Sequence, residues 1–342
     1  MEPFSQKSVA VVIPCRNEEK YIGKCLDSLI QSDFDLSQLE IYVCDGRSDD
    51  DTRKIVAQYE EKYPFIQLID NPHLTTPHAL NAGITMSETD FVVILGAHAA
   101  VDKNFIKKSV EVFELDDKIG CAGGIIENVN EDAKTAIIAA AMSSPFGVGT
   151  AYFRTGTKEG YVDTVAFGMY KRVVFEKIGL FDESLVRNQD DEFNFRLINS
   201  GFKIYLSAQI QSKYYVRASF SKLYKQYFQY GYWKVFVNKK HKTITTLRQL
   251  VPAAFVLFLF TAWLPALLNV KFIFIYIGFM LLYLMGSFYS AYRKSTVIKD
   301  MIGIMAAFFI LHFSYGSGYL KGILHFYLLN KKPVSKASEL SR

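Results

Sequence analysis

The sequence predicts an α/β fold, a doubly wound and mostly parallel sheet, followed by a C-terminal transmembrane helical region. Three observations lead there. Short β-branched runs alternate with segments of helical spacing through the first 113 residues. Acidic and imidazole residues gather at the ends of those runs. The stretch from 250 to 330 is dominated by Leu, Phe, Ile, Ala and Tyr. At 342 residues the chain has room for two domains, or for one domain and a membrane portion. With 50% apolar and 21% charged residues it is neither disordered, collagen-like nor a disulfide miniprotein. A net charge of +5 is no nucleic-acid footprint, and no nucleic-acid partner is expected.

The elements follow in order. Val9–Ile13 is a continuous β-branched run, the mark of a strand buried on both faces. From Glu19 to Gln31, Tyr21, Ile22, Cys25, Leu26, Leu29 and Ile30 fall at helical spacing. Ile41–Cys44, Ile66–Ile69 and Phe91–Leu95 read as further strands, and Thr52–Tyr63, His78–Met86 and Asp102–Phe113 as helices. Strands separated by helices of this length imply parallel pairing, and such sheets bind ligands at their carboxyl ends. The segments Pro14–Glu18, Cys44–Asp51 and Leu95–His98 are therefore the candidate site. Cys15, Cys25, Cys44 and Cys121 form no close pair and fit a reduced compartment, and the N-terminus lacks a signal-peptide pattern. The first half is expected in the cytosol.

A bilayer span takes about 20 mostly apolar residues. Leu250–Leu268 and Phe272–Tyr292 qualify, and Met301–Leu320 qualifies despite His312 and three glycines. Basic residues Lys239, Lys240, Lys242 and Arg248 precede the first run, and Arg293, Lys294 and Lys299 follow the second. Both groups belong on the inner side. Two full spans satisfy this; the third segment is a span, a re-entrant piece or an interfacial one.

Four clusters hold residues that do chemistry. Asp45 ends the second strand, where an acid reads a base or ribose; Gly46 permits the turn, and Asp50 or Asp51 caps the next helix. The plainer reading is an acidic helix cap. The fourth strand ends in Gly96-Ala97-His98, whose only good metal donor is His98, with Asp102 four residues on; a lone histidine also serves as a structural residue. Asp190 and Asp191 fall at a helix start, where the dipole keeps a carboxylate ionised for general-base work. Arg196 follows and can pair with an acid or a diphosphate. Tyr214–Lys242 mixes aromatics and cations in the manner of a membrane-interface helix. No G-x-G-x-x-G follows the first strand, which excludes a nicotinamide fingerprint.

These motifs in this order resemble the family 2 glycosyltransferases of the GT-A fold, over about residues 8–240. VAVVIPCRNEE is similar to the opening strand and nucleotide-contacting turn; Asp45, Gly46, Ser48, Asp50 and Thr52 match D-G-x-S-x-D-x-T; LNAGI, at Leu80–Ile84, matches the helix after the third strand. Gly96–His98 stands at the place of Asp-x-Asp, Gly168–Glu183 at the acceptor-side segment, and QDDEFNFRL at the Glu-Asp motif with its later Arg. NPHLTTPHALNAGI, NQDDEFNFR and YGYWK most resemble the succinoglycan-type exopolysaccharide glucosyltransferases.

The resemblance implies inverting transfer of a sugar, glucose first, from a UDP-sugar to a polyprenyl-diphosphate-linked glycan. It assigns the base role to Asp190 and a Mg²⁺ or Mn²⁺ ligand to His98. Donor or acceptor contacts fall to Pro14, Arg16, Asn17, Glu18, Asp45, Asn81, Gly96, Ala97, Asp191, Arg196, Gln226 and Trp233. The implied organisation is a cytosolic catalytic domain at 1–213, an amphipathic interfacial segment at 214–248, two or three membrane helices at 249–330 and a basic tail at 331–342. Membrane lipid and other polysaccharide-biosynthesis proteins are the implied partners, at a bacterial inner membrane crossed several times. Three departures stand out. Gly96 and His98 replace both aspartates of Asp-x-Asp, Gln189 replaces the Glu before the base, and Gln226-Tyr227-Phe228-Gln229-Tyr230 replaces the Gln-x-x-Arg-Trp of processive synthases. The imidazole tilts metal preference toward softer ions such as Mn²⁺. Alternatives are a polyprenyl-phosphate sugar synthase, a processive synthase and a non-catalytic nucleotide-sugar-binding scaffold.

Overall fold

A computed structural model describes residues 7–130, 132–216, 219–245, 247–331 and 333. Beyond Lys331 and Pro333, the expected basic tail, with Lys332, Lys336 and Arg342, lies outside the described residues. The chain divides into two compact units, Met1–Val129 with Tyr152–Tyr215, and Asn130–Ala151 with Val216–Arg342.

The strands are β1 (Val9–Cys15), β2 (Leu39–Asp45), β3 (Ile66–Asp70), β4 (Phe91–Ile94), β5 (Ala99–Val101), β6 (Ile119–Val129), β7 (Gly160–Val162), β8 (Ala166–Lys171) and β9 (Lys203–Tyr215). The helices are α1 (Ile22–Ile30), α2 (Thr52–Lys62), α3 (Thr76–Met86), α4 (Phe105–Val112), α5 (Ala133–Met142), α6 (Pro145–Val148), α7 (Tyr152–Thr155), α8 (Arg172–Ile178), α9 (Gln189–Asn199), α10 (Phe220–His241), α11 (Val251–Thr261), α12 (Phe272–Tyr292) and α13 (Ile298–Ile323).

In the first unit the strands form one sheet in the order β3-β2-β1-β4-β8-β6-β9-β5, with β7 on β9. The four strands read from the sequence, β1 to β4, pair in parallel. The sheet becomes mixed beyond them, because β8 joins β4 and β6 antiparallel and β5 and β7 join β9 antiparallel. Period-two alternation divides β1 between two cores. Val9, Val11 and Ile13 pack with Ile22, Cys25, Leu26 and Leu29 of α1. Ala10 and Val12 pack with Ala79, Leu80 and Ile84 of α3 on the other face. Burying each large aliphatic contributes about 1.5–3 kcal/mol, and a one-residue slip would exchange the two sets. The four cysteines are buried, free thiols, and burial pushes that of Cys44 up to about 12.

In the second unit, α13 is the central helix; at 26 residues it is about 39 Å long. A Cβ on Gly318 would overlap the Phe228 carbonyl, one on Gly231 the Tyr315 carbonyl and one on Gly316 the Pro252 carbonyl. Glycine at these positions lets α10 and α11 touch α13 backbone to backbone, the small-residue packing of membrane helices. The expected interfacial segment therefore has its helix, α10, docked along α13, with Trp233 at 1% exposure. The short helices α5 and α6 also pack on α13. His312 donates from Nε2 to the Phe146 carbonyl at 2.8 Å, which leaves Nδ1 to accept from the Tyr283 hydroxyl at 2.9 Å. Among the described residues, three helical segments are long and apolar enough to cross a membrane: Leu247–Leu267, Phe272–Tyr292 and Ile298–Leu328. The first is not one α-helix, since α11 ends at Thr261 and a 3₁₀ turn begins at Leu264, beside Pro265. The third is a continuous helix, with a π turn after it.

Candidate active site at the carboxyl edge of the sheet

The loops after β1 and β2 are bonded to each other. Asn17, at φ 54°, donates its N–H to Ser48 Oγ at 2.8 Å and accepts the Asp49 N–H on its side-chain oxygen at 3.1 Å. The Glu18 N–H reaches Thr52 Oγ1 at 2.7 Å, and the Gly46 N–H reaches the Cys15 carbonyl at 2.8 Å. Glu19 and the Asp50–Asp51 turn exchange two more bonds. The helix-cap question resolves to Asp50, whose Oδ1 accepts from the Thr52 N–H at 3.0 Å, while Asp51 makes no side-chain cap bond. Arg16 lies over Gly46, and Pro14 is the penultimate residue of β1.

Asp45 is fully buried. Its carboxylate accepts from the Ser48 N–H at 3.0 Å, from the Ser48 hydroxyl and from Arg53 Nη1 at 2.9 Å. Arg53 also bridges to Asp70 at 3.0 Å, the residue in register with Asp45 at the tip of β3. The charge of Arg47 lies 3.7 Å from Asp70. Sequence reasoning missed Arg53 and Asp70; the signal was an acid ending the third strand, as one ends the second.

At the tip of β4, Gly96 and Ala97 lead to His98. A Cβ on Gly96 would meet the Phe167 ring at 3.2 Å, so an aromatic ring crowds the place of the absent first aspartate. The His98 Nδ1 faces Glu18 Oε1 at 3.5 Å, and its ring meets Tyr214 edge-on at 4.9 Å. Glu18 is 1% exposed. One imidazole nitrogen backed by a buried carboxylate fits a single protein ligand to a divalent ion. These residues do not make a closed protein cage, and no group of three or more His, Cys, Asp or Glu clusters for a metal among the described residues.

Helix α9 begins after Asn188, at φ 61°, with Asp190, Asp191 and Glu192 in its first turn. Asp190 is exposed and Asp191 half-buried. Their neighbour Glu192, 1% exposed, holds Arg196 with two bonds of 2.8 and 3.0 Å. Arg196 further donates to the carbonyls of Ile178 and Leu180, so it braces the loop before α9. Tyr170 is raised well above the usual phenol range by burial, then by the charges of Cys121 and Asp190. Asn81 clamps the same loop to α3: its amide donates to the Phe181 carbonyl and Glu183, both at 2.9 Å, and accepts the Phe181 N–H at 2.9 Å. His78 lies beside this clamp, 3.4 Å from Glu183 and stacked on His73, in a cleft of about 520 Å³.

The structure thus joins Asn17, Glu18 and Asp45 in one bonded network, sets Arg16 against Gly46, and brings Glu18 to 3.5 Å from His98. Asn81, Asp190, Asp191 and Arg196 belong to the same unit, on α3 and α9. Gln226 and Trp233 belong to the second unit, on α10, where the Gln226 amide donates to the Tyr230 hydroxyl at 2.9 Å.

Known proteins resemble this chain in sequence and in fold. The profile described as Glycosyl transferase family 2 matches residues 10–179. A dolichyl N-acetyl-α-D-glucosaminyl phosphate 3-β-D-2,3-diacetamido-2,3-dideoxy-β-D-glucuronosyltransferase of Methanococcus voltae is 32% identical over 92% of this chain and 97% of its own. The succinoglycan biosynthesis protein ExoA of Rhizobium meliloti is 27% identical over 74% of this chain and 77% of its own. Among solved structures, residues 1–349 of S. aureus TarS in complex with UDP align with a TM-score of 0.53 at 17% identity, over 92% of each chain. The mannosyltransferase PcManGT of Pyrobaculum calidifontis, in complex with GDP-Man and Mn²⁺, aligns with a TM-score of 0.53 at 14% identity, over 99% of this chain and 80% of its own. The fold is therefore GT-A, as the sequence motifs implied. With a relative 32% identical across 92% of its length, the chain belongs to the family 2 glycosyltransferases.

Proposed function

We propose that this chain is a membrane-associated, inverting glycosyltransferase that extends a polyprenyl-linked glycan from a UDP-sugar donor, as one step in building a cell-surface or exopolysaccharide. The observation that carries the proposal is the set at the strand tips, Asn17, Glu18, Asp45 and Arg53 bonded together with His98 3.5 Å from Glu18, at the carboxyl ends of parallel strands where such sheets take ligands. The names of two relatives support the acceptor class: one acts on a dolichyl phosphate that already carries a sugar, the other serves succinoglycan synthesis. The TarS complex with UDP supports the nucleotide.

In this reading the turn held together by Asp45, Ser48 and Arg53 faces the uracil, and Arg16 and Asn17 line the same side. His98 would be the residue that holds Mg²⁺ or Mn²⁺, and the ion would supply charge neutralisation for the leaving diphosphate. Asp190 takes the proton of the acceptor hydroxyl while that oxygen bonds to the anomeric carbon. The bond from that carbon to the diphosphate oxygen breaks in the same displacement, its electron pair leaving on UDP. A single displacement inverts the centre, so an α-linked donor gives a β-linked product. The helix dipole at the start of α9 favours the ionised form of Asp190. The basic residues flanking the apolar segments favour an inner-membrane enzyme with its catalytic unit cytosolic.

The test is a transfer assay. Purified full-length chain is incubated with a panel of labelled UDP-sugars, UDP-glucose first, a polyprenyl-diphosphate-linked glycan, and either Mn²⁺ or EDTA. We expect one donor to be consumed, a β-linked product by NMR, and a loss of about 10²–10⁴-fold in kcat for Asp190→Asn. No donor consumed would refute the proposal. Undiminished turnover of Asp190→Asn onto a bare polyprenyl phosphate would instead mark a polyprenyl-phosphate sugar synthase, whose acceptor is already ionised.

A further inference from the structure

We propose that Glu18 is a positioning residue for His98: its buried carboxylate fixes the imidazole with the proton on Nδ1 and turns the Nε2 lone pair toward a divalent cation. This deepens the proposed function and rests on its assignment of a metal-dependent donor site.

Glu18 is placed for the task from both ends. Its backbone N–H is held by Thr52 Oγ1 at 2.7 Å, and its side chain is 1% exposed. The carboxylate thus points inward, toward Nδ1 of His98 at 3.5 Å. Nδ1 is itself buried, whereas the His98 side chain keeps 19% of its exposure, so the solvent-facing part of the ring is elsewhere. The rest of the cradle restricts the ring further. The His98 carbonyl accepts the Tyr215 N–H at 3.1 Å, the ring lies edge-on to Tyr214 at 4.9 Å, and the Arg154 guanidinium sits 5.5 Å over that tyrosine.

A carboxylate beside Nδ1 selects the tautomer in which Nδ1 carries the proton, and Nε2 then carries the lone pair a metal needs. It also raises the donor strength of the imidazole. The tip of β4 has no carboxylate of its own at Gly96-Ala97-His98. Glu18, eighty residues earlier in the chain, brings one behind the ring. The imidazole sets the preference: nitrogen donors favour Mn²⁺, Co²⁺ or Zn²⁺ relative to Mg²⁺ more than oxygen donors do.

The experiment uses the full-length chain in nanodiscs with saturating UDP. Free Mn²⁺ is titrated by electron paramagnetic resonance for the wild type, Glu18→Gln, Glu18→Ala and His98→Ala. Metal-free UDP affinity and the melting temperature report folding. Nitrogen-15 spectra of the wild-type histidines read the His98 tautomer directly. We expect Mn²⁺ affinity to fall about 10–100-fold in both Glu18 variants, to be lost in His98→Ala, and the wild type to carry its proton on Nδ1. We also expect His98→Asp to shift the Mn²⁺-to-Mg²⁺ affinity ratio toward Mg²⁺. Wild-type affinity in both Glu18 variants with loss in His98→Ala would overturn the positioning role alone and leave the donor site standing. Wild-type His98 with its proton on Nε2 would overturn it without any variant. A wild type that binds no Mn²⁺ with UDP would remove the metal from the donor site and the positioning role with it.

Discussion

At the carboxyl edge of the sheet, backbone loops come together around charge. Asp45, Glu18 and Glu192 are all under 2% exposed, and Asp45 and Glu192 are met by named donors on Ser48, Arg53 and Arg196. Along α13, helices come together around an absence of side chain, where Gly316 and Gly318 admit the carbonyls of Pro252 and Phe228. The first arrangement depends on each partner being present, because an unanswered buried charge is costly. The second depends only on space. A further contrast lies inside the second unit: nothing lies within 4 Å of a Cβ on Gly278 of α12, and 6% of that apolar segment is buried, against 44% for the segment containing α13. Both are long and apolar enough to span a membrane, and of the two only α13 has glycines that admit a neighbouring backbone carbonyl.

Breaking the charge side of this comparison should have the largest effect. Arg196→Ala leaves Glu192 buried without its two bonds and releases the carbonyls of Ile178 and Leu180. We expect a loss of about 3–5 kcal/mol by denaturant unfolding; a loss below about 1 kcal/mol would mean that the brace is not structural. Next is the space side. Gly318→Leu should cost about 1–3 kcal/mol through overpacking against α10, read as a lower melting temperature in detergent. The Asp45 network comes third. Asp45→Asn keeps the shape but weakens the hold on Arg53, which is 40% exposed and retains Asp70; with solvent screening the expected cost is about 1–2 kcal/mol, together with weaker UDP binding by calorimetry. The smallest effect has the opposite sign. Gly278→Ala, at an open position of α12, should stabilise by about 0.4–1 kcal/mol, and any destabilisation would show that a neighbour closes on that position.

The first half of the sheet was legible because Val9–Ile13, Ile41–Cys44 and Phe91–Leu95 keep strand character over enough residues to declare themselves, and because parallel topology ties strand ends to the site. The strands from β5 on were not. β5 and β7 have three residues each, and β6 contains Gly123 and Gly124, where the register shifts and the backbone passes against Ile210. The segment 130–151 has no linker composition, yet it belongs with the C-terminal helices, tied through His312 and Phe146. The Glu18–His98 approach spans eighty positions, and periodicity carries no information at that range. Asn81 and Arg196, expected at the substrates, use their side-chain groups to hold the segment 178–183. Arg53 and Asp70, which tie the turn after β2 together, sit outside the motif that pointed to it.

The most direct test of the central claim is turnover of a UDP-sugar by the full-length chain with a polyprenyl-linked glycan, wild type beside Asp190→Asn. The account predicts a β-linked product from the wild type and about 10²–10⁴-fold slower turnover in the variant. Equal turnover in the two, or no transfer from any UDP-sugar, would contradict it.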